Sequence, residues 1–186
     1  MKKLIVILLT AALAACNGVE DVQTKYSGYT ARFNYSPVSA CPSLQRACTG
    51  MGEFCIIDRP IDPQQRFRVR DNHGNDPDWI NPTAIQNYTS VVLGIGGSLI
   101  IGLPNLAEMG ADIPTVICFD GICPNCYTDS HITKQVSLKD GQATCAACQR
   151  IYDLNSQGIV TSEQGGHTLY RYAVGFNGTG VYVSNN

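Results

Sequence analysis

The segment over residues 122–160, ICPNCYTDSHITKQVSLKDGQATCAACQRIYDLNSQGIV, decides how the chain is interpreted. It holds two cysteine pairs, Cys123/Cys126 and Cys145/Cys148, and each pair has two intervening residues. Eighteen residues separate Cys126 from Cys145. A two-residue spacer lets both sulfurs of a tight turn point at one ion, so two such turns supply a tetrahedral four-sulfur shell. The spacing therefore predicts one metal site on these four cysteines.

Zinc is the cofactor we predict for this site, in a structural role. The gap between the pairs is that of zinc ribbons and rubredoxin-like knuckles. Four zinc–thiolate bonds contribute on the order of 10–16 kcal/mol of apparent binding free energy, so a structural role alone would suffice. Iron, as one ion or as a [2Fe–2S] cluster, is the alternative and would make the protein an electron carrier, because the ligand set alone does not choose the metal.

A second alternative is a thiol–disulfide oxidoreductase that cycles one or both pairs. Reactive pairs of that kind lie at a helix N-terminus, which lowers the thiol pKa. We expect no such helix here, because neither YTDSHITKQVSLK after the first pair nor QRIYDL after the second starts an amphipathic pattern. Four independent core cysteines would have no need of the symmetric spacing.

The rest of the chain is divided into short segments by 18 glycines and nine prolines. Apolar and β-branched runs between these breaks predict strands at residues 29–35, 54–57, 67–69, 88–93, 99–103, 115–119, 152–154, 158–160, 169–174 and 181–183. The turns GIGG and GFNGTG predict hairpins that join 88–93 to 99–103 and 169–174 to 181–183. Since no segment keeps a helical period beyond about ten residues, the sequence predicts an all-β, antiparallel fold.

Residues 39–50, SACPSLQRACTG, predict a short helix with Cys41, Leu44 and Cys48 on one face. Two helical turns separate the α-carbons of Cys41 and Cys48 by roughly 10 Å. A disulfide spans at most about 7 Å, so we predict core packing for these two cysteines. Beyond excluding that one bridge, the sequence leaves open the pairing state of Cys41, Cys48, Cys55 and Cys118.

The N-terminal stretch MKKLIVILLTAALAAC predicts a signal peptide over residues 1–15. Its apolar run is shorter than the roughly 20 residues of a membrane-spanning helix. The ending Leu13-Ala14-Ala15-Cys16 resembles a bacterial lipoprotein box, which implies cleavage before Cys16 and lipidation of Cys16. We expect residues 16–25 to form a leash and residues 26–186 one domain, with the metal-binding part at about 118–160. The predicted location is the bacterial cell envelope, on the outer membrane, with the membrane as partner through the lipid.

Charge and motifs exclude several classes of function. Removal of residues 1–15 takes away two lysines and changes the formal net charge from −2 to −4. Without a basic stripe to neutralise phosphates, nucleic-acid binding is disfavoured. No serine, histidine and aspartate set shows a recognisable nucleophile turn, so we assign no catalytic residue.

Three further features have simple interpretations. His131 lies between the cysteine pairs and is expected to be an exposed loop histidine. The acidic run at residues 71–78 lacks the terminal glutamate of a calcium loop and predicts a solvated turn. Trp79 is expected in the core or at a sheet edge.

CPNC, GQATCAACQRIYDLNSQGIV and LYRYAVGFNGTGVYVS resemble the iron–sulfur subdomain and closing strands of the Rieske family. The order of residues follows the family's second loop at Cys145, Cys148, Tyr152, Asp153, Leu154 and Gly158. With its lipobox, the chain is similar to Rieske-like lipoproteins of Bacteroidales gut bacteria. The resemblance implies three small antiparallel sheets and two loops that hold a metal. Cys148 and Asn125 stand where the family has its two histidine ligands, so what the resemblance implies is the fold and not the electron-transfer role. The sequence thus predicts a cell-envelope lipoprotein that is a non-catalytic binding or structural module.

Overall fold

A computed structural model describes residues 25–185 of the 186-residue chain. The predicted signal peptide, Cys16 and the leash up to residue 24 lie outside the described residues. Within them lie two α-helices, α1 (Pro42–Thr49) and α2 (Pro124–Ser130), and short 3-10 helices at Val38–Ala40, Pro82–Ala84 and Tyr88–Ser90. The strands β1 to β13 are, in chain order, Ala31–Tyr35, Glu53–Asp58, Phe67–Asp71, Asp78–Ile80, Ser98–Leu103, Ile117–Asp120, Ser137–Lys139, Gln142–Thr144, Ile151–Asp153, Ile159–Val160, Arg171–Tyr172, Val174–Phe176 and Val181–Asn185.

The strands form three antiparallel sheets, which confirms the predicted all-β fold. A six-stranded sheet has the order β11-β6-β5-β2-β3-β4, and a four-stranded sheet has the order β10-β9-β8-β7. The three-stranded sheet, β1-β13-β12, pairs the first described strand with the last, from Ala31 opposite Asn185 to Tyr35 opposite Val181.

The central strands of the six-stranded sheet, β2 and β5, are buried on both faces. On one face Ile57 and Leu99 belong to a core shared with α1, β1 and β13. On the other face Ile56 and Ile100 belong to a second core, shared with the four-stranded sheet through Tyr152. Because successive strand residues point to opposite faces, a strand between two cores is an unbroken apolar run. The second core holds the cysteine loops against the large sheet.

The predicted hairpin between residues 88–93 and 99–103 is wrong. Tyr88–Ser90 is a 3-10 helix, and Val92 makes an isolated bridge to Arg32. Residues 99–103 lie in β5, which pairs with β2 and β6 and not with the segment before the glycines. The apolar pattern was correct for β5, but its partner was not the neighbouring segment.

Contacts of the glycine turn with the end of β6 explain this difference. The Asp120 carboxylate accepts a hydrogen bond of 2.7 Å from the Ile95 amide. A Cβ at Gly94 would lie 2.3 Å from that carboxylate, and one at Gly96 would lie 2.1 Å from the Ile122 side chain. The glycines therefore allow this segment to pack closely on the loop after β6. In the sequence, a glycine cluster with this role looks the same as a hairpin turn.

The predicted pairing near the C-terminus is correct in part. Val174–Phe176 pairs with β13, as expected. The first half of the predicted strand, Arg171–Tyr172, pairs instead with β6 in the six-stranded sheet. The chain thus passes from one sheet to another at Ala173, a change that an uninterrupted strand pattern does not indicate.

Helix α1 confirms the prediction for its two cysteines. Pro42 occupies its first turn, and Gly50 follows its last residue. Cys41, Leu44 and Cys48 are buried, and both thiols are free. They pack in the core as small apolar side chains, as such residues commonly do.

Candidate metal centre

The first cysteine pair follows directly from the end of β6. The Asp120 carboxylate, which ends that strand, accepts hydrogen bonds from the Ile122 amide at 3.1 Å and from the Tyr172 hydroxyl at 2.7 Å. The Cys123 amide donates to the Lys134 carbonyl at 2.8 Å. The Asp120 bonds tie the start of the first loop to the end of β6, and the bond to Lys134 joins the two ends of that loop, so together they position Cys123 beside the six-stranded sheet.

Our expectation that no helix follows the first pair is wrong. Cys123 is the N-cap of α2, and its sulfur accepts a hydrogen bond from the Cys126 amide at 3.5 Å. Pro124 occupies the first turn, where its missing N–H is harmless. The helix ends at Ser130, and the next residue, His131, adopts a left-handed conformation. Seven residues are too few to show an amphipathic period, which is why the sequence pattern did not indicate the helix.

The second pair lies in the loop between β8 and β9. The Cys145 amide donates to the Arg150 carbonyl at 3.0 Å, and the Gln149 amide donates to the Cys145 carbonyl at 2.9 Å. Gln149 has a positive φ of 60°, which turns the chain back toward β9. The result is a closed turn that presents both sulfurs on one side.

The four sulfurs converge on one point. Cys123 Sγ lies 3.5 Å from Cys148 Sγ, and Cys126 Sγ lies 3.8 Å from Cys145 Sγ. Both contacts join one loop to the other, and all four sulfurs lie within 4.8 Å of one another. A tetrahedron with zinc–sulfur bonds of about 2.3 Å has sulfur–sulfur edges of about 3.8 Å. The donor set is therefore that of a single tetrahedral ion.

A [2Fe–2S] cluster fits this geometry less well. In such a cluster two cysteines bind each iron, and bridging sulfides lie between the irons. Sulfurs on opposite irons are then separated by the length of the cluster, whereas the greatest separation here is 4.8 Å. The arrangement favours one ion, zinc or iron, over a two-iron centre.

The electrostatics of the thiols favour a bound cation. Burial raises the pKa of Cys123 and of Cys126, which opposes the thiolate form. Burial also opposes ionisation of Cys148, but hydrogen bonds from the backbone and guanidinium of Arg150 outweigh it and lower the pKa of Cys148 to about 6. A metal ion supplies the positive charge that buried thiolates need, and it deprotonates its ligands.

The same geometry argues against the thiol oxidoreductase alternative. The cysteine at the helix start, Cys123, is fully buried and its pKa is raised by that burial. In reactive cysteine pairs, the thiol at this position is exposed and its pKa is lowered. Here the lowered pKa belongs to Cys148, on the other loop.

A buried hydrogen-bond network supports Cys123. The Tyr152 hydroxyl lies 3.0 Å from Cys123 Sγ and accepts a hydrogen bond of 2.9 Å from Asn125 Nδ2. Because its oxygen is used as an acceptor, the Tyr152 hydroxyl can donate its proton to the sulfur. Asn125 also donates to the His167 carbonyl at 3.0 Å and accepts from the His167 amide at 2.9 Å. Such outer contacts orient metal ligands and tune their basicity.

Sequence reasoning missed two of these supporting residues. Asn125 was considered only because it stands where the Rieske family has a histidine ligand, and Arg150 was not singled out. Their contacts depend on the tertiary arrangement, with one exception. Gly166 has a φ of 128°, and a Cβ there would lie 2.2 Å from Asn125 Oδ1. The Gly165-Gly166 pair in the sequence could therefore have indicated a close approach of the backbone to another side chain.

Other singled-out residues lie outside the cysteine cluster. His131 is exposed and its ring contacts the edge of the Tyr127 ring. Trp79 lies on the edge strand β4 under the Arg66 guanidinium, as a sheet-edge anchor does. In the acidic run, the buried Asp71 carboxylate accepts hydrogen bonds from the His73 and Asn75 amides of its own turn and from the Arg46 guanidinium of α1. Among residues 25–185, the four cysteines are the group that can hold a metal ion.

No protein-family model matches this chain, and no curated protein matches it. Among the described residues, no helix is long and apolar enough to cross a membrane. The resemblance to Rieske proteins therefore stays a prediction from the quoted motifs, and the candidate function depends on the geometry of the site.

Proposed function

We propose that this protein is a cell-envelope lipoprotein whose domain holds one zinc ion on Cys123, Cys126, Cys145 and Cys148. The ion has a structural role, and the domain is a non-catalytic binding or structural module. The single observation that carries the proposal is the convergence of four sulfurs from two loops within 4.8 Å.

The sheet that carries the second loop explains why an ion is needed. Strands β7, β8 and β9 have three residues each, and β10 has two. Strands this short bury little apolar area, and small sheets of this kind are marginal by themselves. Zinc bound to four thiolates contributes on the order of 10–16 kcal/mol of apparent free energy, enough to fix both loops in place.

The lipoprotein part of the proposal comes from the N-terminal sequence. The apolar run of residues 4–15 and the lipobox ending at Cys16 support export followed by lipidation. The domain would then be held at a bacterial membrane, in our proposal the outer membrane.

Elemental analysis tests the proposal directly. We expect one zinc per chain in protein produced in an anaerobic host of its own kind. Cys126→Ser should abolish stoichiometric zinc and lower the melting temperature steeply. The matched control is Cys41→Ser, which changes a buried cysteine outside the site and should retain zinc. A Cys126→Ser protein that melts like the parent would exclude a structural metal.

An electron carrier with a single iron is the second candidate. It is favoured by one observation, the partial exposure of Cys126 and Cys148, which gives an electron donor access to the sulfurs. A ferric tetrathiolate absorbs visible light and a zinc site does not, so the colour of anaerobically purified protein separates the two candidates.

A further inference from the structure

An apolar surface lies on the connection between β5 and β6. Within residues 104–116, which we name the apolar loop, Leu106 is 59% exposed, Met109 is 104% exposed and Ile113 is 70% exposed. Three large apolar side chains are thus exposed on one connection of thirteen residues, and exposed apolar groups that are close together in this way can mark an interaction site.

The apolar loop is joined to the residue at which the leash enters the domain. The Lys25 ammonium lies 2.5 Å from one oxygen of Glu108, and the other oxygen accepts a hydrogen bond from Arg171. Glu108 is therefore neutralised, and its pKa is lowered by these partners despite partial burial. The apolar loop and Lys25 thus lie on the same part of the surface.

The length of the leash restricts which face of the domain can meet the membrane. Nine residue steps separate Cys16 from Lys25, and they span at most about 32 Å whatever their conformation. A domain of this size is roughly 40 Å across. If Cys16 carries lipid, the face opposite Lys25 cannot rest on the bilayer, because Lys25 would then lie about 40 Å away, beyond the reach of the leash.

We propose that the apolar loop docks on the lipid bilayer that holds the lipidated Cys16, with Leu106, Met109 and Ile113 inserted among the headgroups. This inference depends on the lipidation in the proposed function but not on the metal. Lys25 and the partly exposed Tyr26 lie beside the apolar loop, and such residues are enriched at membrane interfaces. The carboxylate of Asp112 stays at the level of the headgroups, so a zwitterionic lipid suits the surface better than an anionic one.

Quenching by brominated lipid tests the docking. The full lipidated chain, in a Trp79→Phe background, is reconstituted into phosphatidylcholine vesicles with and without brominated acyl chains. We expect Met109→Trp to lose about half or more of its emission in brominated vesicles, because interfacial apolar groups reach about 5–10 Å below the surface.

Ile61→Trp is the matched control. Ile61 is 108% exposed and lies beyond Asp58, at the opposite end of β2 from Glu53, which pairs with Leu103 before the apolar loop. We expect its emission to be unchanged by bromination. Equal quenching of the two positions, or none at position 109, overturns the docking proposal.

Two companion measurements separate the docking proposal from the proposed function. Mass spectrometry establishes lipid on Cys16, and a chain without it overturns the docking proposal, because the tether is what brings the apolar loop to the bilayer. Elemental analysis reports zinc in the same samples. Quenching at position 109 without zinc leaves docking in place and removes the structural-zinc proposal, whereas zinc without quenching does the reverse.

Discussion

The six-stranded and four-stranded sheets of this protein are held in place in different ways. In the six-stranded sheet, β2 and β5 have six residues each and are buried on both faces between two apolar cores. In the four-stranded sheet no strand exceeds three residues, and its loop supplies two of the four clustered sulfurs. The first sheet has the apolar burial to fold by itself, whereas we expect the second to require an ion.

Cysteine itself illustrates this difference. Cys55 and Cys118 are completely buried in the six-stranded sheet, where burial raises the pKa of each thiol well above its usual value. They are neutral packing residues. Around the four-stranded sheet, hydrogen bonds from Arg150 and Tyr152 point at sulfur. The environment of the sulfur, more than the residue type, separates a core residue from a candidate ligand.

The largest expected effect is that of metal removal. A strong chelator should remove on the order of 10 kcal/mol of binding free energy, and amides of β7–β10 should then exchange rapidly while those of β2 and β5 stay protected. Hydrogen exchange followed by mass spectrometry measures both regions in one sample. Cys126→Ser treated with chelator is the control and should show no further change. Equal loss of protection in both sheets would break the comparison.

Truncation of the apolar core should have the opposite pattern. Ile57→Ala removes a completely buried side chain of β2 and should lower the free energy of unfolding by about 2–5 kcal/mol. Metal content should not change, since Ile57 belongs to the core on the opposite face of the sheet from the four clustered cysteines. Urea denaturation gives the first quantity and elemental analysis the second. Ile61→Ala, at a completely exposed position, is the control and should change stability by less than about 0.5 kcal/mol. Loss of metal in Ile57→Ala would contradict the idea that the apolar core and the metal site stabilise different sheets.

Two buried tyrosines sharpen the comparison. Tyr152→Phe removes the hydroxyl beside Cys123 and should weaken metal affinity about 10- to 100-fold, as loss of an outer contact typically does. Tyr172→Phe removes an equally buried hydroxyl that bonds Asp120 and should lower stability with a smaller effect on affinity. Competition with a chromophoric chelator measures the metal affinity of both variants. Equal losses of affinity would show that the two hydroxyls do not act separately.

The smallest predicted effect depends on pH. Burial raises the pKa of Asp71, but hydrogen bonds from Asn75, the His73 amide and Arg46 outweigh it and hold the pKa below its usual range. A lowered carboxyl pKa stabilises the fold above the unfolded pKa of about 3.9, and this contribution is lost as the pH falls through the folded value. Asp71→Asn should therefore lower stability by about 1 kcal/mol at pH 7.

Urea denaturation at two pH values checks the Asp71 prediction. The difference between the parent and Asp71→Asn should narrow as the pH falls below about 4, where Asp71 of the unfolded chain becomes protonated, and should be lost as the pH passes through the lower pKa of the folded state. A difference that is the same at pH 7 and pH 3 would assign the effect to packing and not to charge. Zinc content should be unaffected, because Asp71 lies outside the cysteine cluster.

Local sequence patterns predicted the parts of the fold that depend on neighbouring residues. The spacing of Cys123, Cys126, Cys145 and Cys148 predicted their convergence, because short closed turns need no knowledge of the rest of the chain. The buried face of α1 was likewise predicted correctly, from the three- and four-residue spacing of its apolar side chains. The order of strands in the six-stranded sheet did not follow, since β2 lies next to β5 through pairs of residues that are forty to fifty positions apart.

The supporting residues of the site were the hardest to predict. Arg150 and Asn125 are polar residues whose roles depend on which atom of another loop lies within hydrogen-bonding distance. The helix after Cys123 is seven residues long, shorter than any pattern that separates helix from turn. The packing of the two loops against β6 and β9 sets this geometry. The sequence of either loop alone does not reveal that packing.

The pairing of β1 with β13 has a consequence for the timing of folding. Ala31 lies opposite Asn185, and the Asn185 side chain also donates to the carbonyls of Ser27 and Tyr29. About 150 residues must be synthesised after β1 begins before β1 acquires this partner, so the three-stranded sheet cannot form early in synthesis. Such high contact order slows folding. In a chain exported as we propose, slow folding would keep the polypeptide unfolded until nearly all of it has crossed the membrane.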